Sequence, residues 1–194
     1  PGCEAGHAIA DVLTGRVSPS GRTPMTWPRS LGQVPVFYGQ YANGRPENPD
    51  DRFTSKYIDS PSTALYPFGF GLTYGTFTLA NLRVTPPSAA AGGAFEIAVE
   101  VTNGGARTAE ETVFVFVRDR VASVVRPALE LKGVAKIVLG PGATGTASLQ
   151  LPVSELAFPG ADLKPALETG EVEIFAGPCA DPARLLSSRV MVRG

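Results

Sequence analysis

Phe95-Glu96-Ile97-Ala98-Val99-Glu100-Val101-Thr102 alternates large apolar residues with polar or small ones. A period of two predicts a strand with one face in a core and the other toward water. Farther along, Val113-Phe114-Val115-Phe116-Val117 is apolar at every position, which predicts a strand covered on both faces. The rhythm extends outward in both directions. Phe77, Leu79, Leu82 and Val84 precede it, and residues 129–139, 145–151, 171–176 and 186–192 follow it. Asn103-Gly104-Gly105 and Gly140-Pro141-Gly142 supply turns.

About seven short strands in roughly 120 residues predict an immunoglobulin-like or fibronectin type III-like β-sandwich over residues 76–194. The Cys–Trp–Cys pattern of antibody domains is absent. Upstream the texture changes. Ala8, Ile9, Val12 and Leu13 fall on a helical period, predicting a helix over 6–13 with Gly15 as its stop. Pro19, Gly21, Pro24 and Pro28 then leave room only for a short edge strand around Met25-Thr26-Trp27. One helix and a loop (1–33) cannot bury a face alone, so the segment is expected to pack on something else. Residues 34–75 are rich in Pro, Gly, Asn and Tyr and too long for an ordinary loop. Their aromatic residues, among them Phe37, Tyr38, Tyr41, Phe53, Tyr57, Tyr66, Phe68, Phe70 and Tyr74, predict an arm anchored across a neighbouring surface.

The chain has 194 residues, 43% hydrophobic and 18% charged, with a formal net charge of −1. That is an ordinary globular composition. It offers no basic field for nucleic acid or an anionic membrane. The longest apolar runs are strand-sized, below the ~20 residues of a membrane-spanning helix. Cys3 and Cys179 lack zinc-ligand spacing and form no disulfide framework, so two unpaired thiols are expected. Pro1-Gly2-Cys3 does not look like a translation start, so any targeting segment is expected upstream.

Linked motifs run in one order along the chain. Pro1-Gly2-Cys3-Glu4-Ala5-Gly6-His7 leads into the helix. Ser18-Pro19-Ser20-Gly21-Arg22-Thr23-Pro24, Gly32-Gln33-Val34-Pro35, Gly44-Arg45-Pro46, Phe53-Thr54-Ser55-Lys56-Tyr57 and Tyr66-Pro67-Phe68-Gly69-Phe70-Gly71-Leu72-Thr73-Tyr74 follow. Ser123-Val124-Val125-Arg126-Pro127 and Glu130-Leu131-Lys132-Gly133 lie in the sandwich. Together they resemble the C-terminal portion of glycoside hydrolase family 3, periplasmic β-glucosidase type. Thr14, Asn43, Lys56 and Phe158-Pro159 depart from that pattern.

The resemblance implies a three-part enzyme: a TIM-like barrel, an α/β sandwich and a fibronectin type III-like domain. Residues 1–33 would be the end of the α/β sandwich, 34–75 the linking arm and 76–194 the third domain. It implies a retaining β-glycosidase acting on terminal β-linked sugars, with a nucleophilic carboxylate and an acid/base carboxylate about 5 Å apart. Both would precede Pro1, so no catalytic residue is expected here, nor any metal or cofactor. Substrate-binding residues are not assigned. The implied partners are the upstream catalytic domains, a small carbohydrate and a second copy of the chain; the implied location is periplasmic or secreted. A different reading of the same strands is a non-catalytic sandwich that binds carbohydrate or protein.

Several residues merit a functional reading beside a plainer one. Glu4 could line a sugar pocket or sit at a positive helix N-terminus. His7, the only histidine, could serve one nucleophile arrangement or lie on the surface. Glu47, Asp50, Asp51 and Asp59 lack the spacing of a calcium loop and read as solvated or paired carboxylates, with Asn48-Pro49-Asp50 as a turn. Arg45 and Arg52 could stack on a sugar or anchor an interface. Gly69-Phe70-Gly71 is not a nucleotide loop and reads as a tight backbone path between aromatic anchors.

Overall fold

The structure, a computed structural model, describes residues 2–41, 43–48 and 50–194. Pro1 of the first motif and Pro49 of the expected turn lie outside the described residues. Helix α1 spans Ala5–Leu13. Its end closes where Gly15 adopts φ +74, a left-handed conformation that costs glycine little, and donates to Val12 O at 3.0 Å. In chain order the strands are β1 Phe77–Thr85, β2 Ser88–Ala90, β3 Ala94–Asn103, β4 Ala109–Asp119, β5 Glu130–Leu139, β6 Thr144–Pro152, β7 Phe158–Pro159, β8 Pro165–Ala166, β9 Gly170–Gly177 and β10 Leu186–Arg193.

Two sheets face each other. One has the order β1-β3-β6 and the other β2-β10-β9-β4-β5, while β7 and β8 form a small ribbon. All pairings are antiparallel except β2 with β10. The two sheets make the expected sandwich. Phe95, Ile97, Val99 and Val101 of β3 are at most 1% exposed and meet Val113, Val115, Val117, Ile174, Val190 and Val192 of the other sheet. Each such side chain contributes ~1.5–3 kcal/mol by leaving water.

Asn103, fully buried, ties the turns at one end. Its amide donates to Arg107 O at 2.7 Å and Leu139 O at 2.9 Å, and its carbonyl accepts Gly105 N at 3.0 Å. The turn expected there exists because this side chain satisfies backbone groups that no strand reaches.

The outer face of β4 answers why Val113–Val117 is apolar throughout. Phe114 and Phe116 point away from the sandwich core into a second cluster with Leu129 and Ala180. Tyr38 and Phe68 of the arm cover them. The ring of Phe68 lies 4.6 Å from Tyr38, 5.5 Å from Phe114 and 6.4 Å from Phe116. Gly69, at φ +82, brings the arm so close that a Cβ would sit 2.8 Å from Phe114 Cε2. The arm therefore packs in part on the sandwich of its own chain.

Segment 18–27 runs beside 65–74, held by Trp27 N to Tyr66 O at 2.8 Å, Thr23 N to Phe70 O at 2.8 Å, Gly69 N to Thr23 O at 2.9 Å and a Ser18–Thr73 hydroxyl contact of 2.9 Å. The edge strand expected around Trp27 is reduced to a single bridge between Trp27 and Tyr66. Pro24 and Pro28 on either side lack the N–H groups a ladder needs. Between these zipped ends, Gln33 is 3% exposed and gathers Arg29 N, Pro61 O and Thr63 O. Tyr41 bridges to Pro127, and the chain is held again at Tyr57, whose Oη donates to Gly32 O at 3.2 Å, and at Pro61 and Thr63.

Candidate functional site

Helix α1 buries none of its side chains. Of the apolar residues on its helical period, Ala8, Ile9 and Leu13 are exposed, Ile9 at 55% and Leu13 at 76%, while Val12 is half-buried. Val17, Met25, Trp27, Leu31, Val34, Phe37, Tyr41, Phe53 and Ile58 are exposed too. Most exposed large apolar side chains of the described residues precede Phe77, whereas the sandwich contributes Val121, Val125, Val134, Val138, Leu163 and Met191. Extensive exposed apolar surface marks a contact face, and an amphipathic helix is stable only when its stripe is covered.

Charged side chains fasten this segment to the sandwich. Arg22 donates to Glu111 of β4, and both side chains are under a tenth exposed. Glu111 also accepts Thr112 N at 2.7 Å. A Cβ on Gly71 would collide with Gly21 O and with Arg22, so the Pro-Phe-Gly run passes directly over the pair. Arg107 donates to Gly15 O, and Tyr74 Oη donates to Val12 O at 2.7 Å, holding the end of α1.

The other buried carboxylates are matched by cations. Glu173 of β9 accepts Arg118 Nε at 2.7 Å and Arg120 Nε at 2.8 Å, with Arg189 at 3.6 Å. Burial alone would raise its pKa, but the hydrogen bonds from Arg120 and Arg118 outweigh that and hold it below the ordinary value. Arg126 lies 3.9 Å over the Phe158 ring and bonds Glu130 at 3.0 Å through Nε, with Asp119 at 3.8 Å. On the surface, the hydrogen bond from Lys136 lowers the pKa of Glu110. Burial raises the pKa of the Cys179 thiol, while Cys3 is exposed; both thiols are free.

The residues singled out in sequence are placed as follows. Glu4 occupies the N-cap of α1 without a side-chain capping bond, and Glu4 and His7 are exposed. Glu47, Asp50, Asp51 and Asp59 are exposed, with Asp51 accepting Phe53 N at 2.8 Å. Glu47 and Asp51 line an open groove together with Arg45. Arg52 lies 5.0 Å over the ring of its neighbour Phe53. Gly69 and Gly71 form the tight path expected of them, and Phe68 is an anchor. Among the described residues, no three His, Cys, Asp or Glu side chains converge as a metal site.

A cleft of about 460 Å³ between the arm and the β9–β10 connection is lined in part by Arg29, Tyr38, Tyr66, Phe70, Asp181 and Arg184. Sequence reasoning did not pair Arg22 with Glu111, nor find the roles of Gln33 and Glu173. The one signal available was the presence of Arg22 and Gln33 inside quoted motifs.

Comparison with known proteins identifies this architecture. The family model described as glycosyl hydrolase family 3 C-terminal domain matches residues 1–74, and that of the fibronectin type III-like domain matches residues 111–179. A periplasmic beta-glucosidase of Salmonella typhimurium is 41% identical over 186 residues, 95% of this chain and 24% of that protein. A beta-xylosidase of Formosa agariphila is 43% identical over 178 residues, 91% of this chain and 24% of its own length. The crystal structure of a Listeria innocua beta-glucosidase with glucose superposes with a TM-score of 0.91 at 32% identity, covering all of this chain and 27% of that one. The chain thus spans about a quarter of the length of these relatives. It belongs to glycoside hydrolase family 3 and carries that family's C-terminal domain sequence together with a fibronectin type III-like domain.

Proposed function

We propose that the chain is the non-catalytic, structural portion of a retaining β-glycosidase that removes terminal β-linked sugars from glucosides or oligosaccharides. Residues 1–33 complete an α/β sandwich, 34–75 link it, and 76–194 form the fibronectin type III-like support. The nucleophile and the acid/base carboxylate sit on upstream domains of the same enzyme, and no residue of this chain takes either role. The observation that carries the reading is α1, a helix with no buried side chain whose Ile9 and Leu13 are exposed, in a chain matching a quarter of its relatives' length. Those exposed residues are the contact with the upstream domains. The placement of the carboxylates agrees: the buried ones are neutralised by arginines, which suits fastening rather than proton transfer.

Relatives of similar identity bear the names beta-glucosidase and beta-xylosidase, so the sugar is selected outside this segment. The periplasmic relative supports a periplasmic or secreted location, and no helix of the described residues is long and apolar enough to cross a membrane. A second copy of the chain and the sugar itself are the further partners of the whole enzyme.

The test is hydrolysis of a nitrophenyl β-glucoside by the purified 194-residue chain, beside DNA sequencing upstream of the Pro1 codon. The expected results are no turnover and a reading frame that continues through a βα-repeat region. Turnover that survives loss of Glu4 and the arm carboxylates would place catalysis in this chain and overturn the proposal.

A further inference from the structure

Two Asn-Gly steps occur in the chain, Asn43-Gly44 and Asn103-Gly104, and the fold treats them oppositely. Both asparagines form the same local turn: Asn43 Oδ1 accepts Arg45 N at 2.9 Å, and Asn103 Oδ1 accepts Gly105 N at 3.0 Å. In each, the side-chain carbonyl is held over the following peptide, and the hydrogen bond it accepts polarises it. Asn43 is exposed, and nothing lies within 4 Å of the Cβ position of Gly44. Asn103 is fully buried at the end of β3, with its NH2 clamped between Arg107 O and Leu139 O.

We propose that Asn43 is a site of spontaneous deamidation and that Asn103 is protected by the fold. The Gly44 nitrogen attacks Cγ of Asn43, forming a C–N bond. The Cγ–Nδ2 bond then breaks, and Nδ2 leaves as ammonia with the proton given up by Gly44. Water opens the resulting succinimide at either carbonyl, yielding aspartate or isoaspartate. No oxidant is needed and one new carboxylate appears beside Arg45. Glycine favours the step because it has no side chain to obstruct its nitrogen and moves freely into the attacking conformation. At Asn103 the backbone is paired with Phe77 of β1 and bonded to Gly142 and Ala143 of the next turn, and the attacking nitrogen of Gly104 is itself engaged by Thr76 O at 2.8 Å, so the ring cannot close while the fold is intact.

Asn48 supplies an internal control. It is followed by Pro49, whose nitrogen carries no hydrogen, so the same cyclisation is closed to it. Trypsin spares Arg45-Pro46, so residues 30–52 form one peptide containing both Asn43 and Asn48.

The test is peptide mapping by mass spectrometry of the full chain aged in mildly alkaline buffer, with isoaspartate counted by enzymatic methylation. The expected result is amide-to-acid conversion at Asn43, with Asn48 and Asn103 intact. Gly44→Ala, for which the structure has room, abolishes the early conversion while leaving the melting curve unchanged. In denaturant, Asn103 converts alongside Asn43. Native conversion of Asn103 at the rate of Asn43, an unchanged Asn43, or an Asn103 that stays intact when unfolded would each overturn the proposal.

Discussion

Replacing Glu111 with alanine leaves the guanidinium of Arg22 without its partner. The side chains of Arg22 and Glu111 are 8% and 7% exposed, so the remaining cation is shielded from water and left with Gly21 O at 3.2 Å and the more distant charge of Glu110. Breaking a buried pair in this way costs about 3–5 kcal/mol. The cost has a ceiling here, because the segment carrying Arg22 can lift from β4 and return the charge to solvent. Lifting also releases the backbone bonds that join Thr23 to Gly69 and Phe70. A loss of about 3 kcal/mol is therefore expected for Glu111→Ala, and a similar loss for Arg22→Met. The double variant Arg22→Met with Glu111→Leu leaves no buried charge and recovers most of it, giving a coupling of at least ~2 kcal/mol. Urea unfolding is followed by far-ultraviolet circular dichroism for the sandwich and by fluorescence of Trp27, the only tryptophan, for the zipped segment. In Glu111→Ala the fluorescence transition precedes the dichroism transition. Additive losses in the double variant, or a Glu111→Ala loss below about 1 kcal/mol, would refute the reasoning.

Phe68→Ala removes the ring that covers Phe114 and Phe116; because Phe68 is only half-buried, the expected loss is about 2–3 kcal/mol, below the range for a fully enclosed phenylalanine. Increased binding of a hydrophobic dye to the folded variant checks that the outer face of β4 has opened. Glu173 has a depressed pKa in the fold, so its contribution is present above the ordinary carboxylate range and is lost as pH falls below about 4. Glu173→Gln is expected to lower stability by about 1–2 kcal/mol at neutral pH, since its arginine partners are partly solvated, and to flatten the acid limb of a urea-midpoint series; an unchanged limb would count against the cluster. Burial raises the pKa of the Cys179 thiol, so a thiol-reactive disulfide reagent should label Cys3 promptly and Cys179 only on unfolding, and equal native rates would contradict the packing beside Gly69.

The sandwich was legible because its signal is local. Alternation from Phe95 to Thr102 needs no knowledge of a partner strand, and β3, β4, β5, β6, β9 and β10 appear where their patterns stood. Strand β2 escaped notice since Ser88-Ala89-Ala90 has neither length nor β-branched residues, and its pairing depends on β10. The ribbon of β7 and β8 contains prolines at Pro159 and Pro165, which read as breakers. Phe114 and Phe116 announced a covered second face, but nothing in their spacing named Phe68 and Tyr38 as the cover. Periodicity describes which way a side chain points and not what arrives from elsewhere in the chain. The pairing of Arg22 with Glu111 is hidden for the same reason. At the candidate site, Glu4, His7 and the arm carboxylates drew attention by residue type, yet they are exposed, whereas the buried charges that fasten the structure carried no distinguishing spacing.

After Tyr41, which is fixed to Pro127, the chain returns where Tyr57 bonds Gly32 O at 3.2 Å and where Gln33 and Arg29 hold Pro61 and Thr63. Departure and return are each pinned independently, so added length between them costs mainly closure entropy, about 0.6 kcal/mol for each doubling. That makes this stretch a tolerant place for insertions and deletions. Evolution could reshape the rim of the molecule there, and a protein engineer could graft a peptide or a small domain there, while Arg22, Phe68 and the two sheets keep their positions.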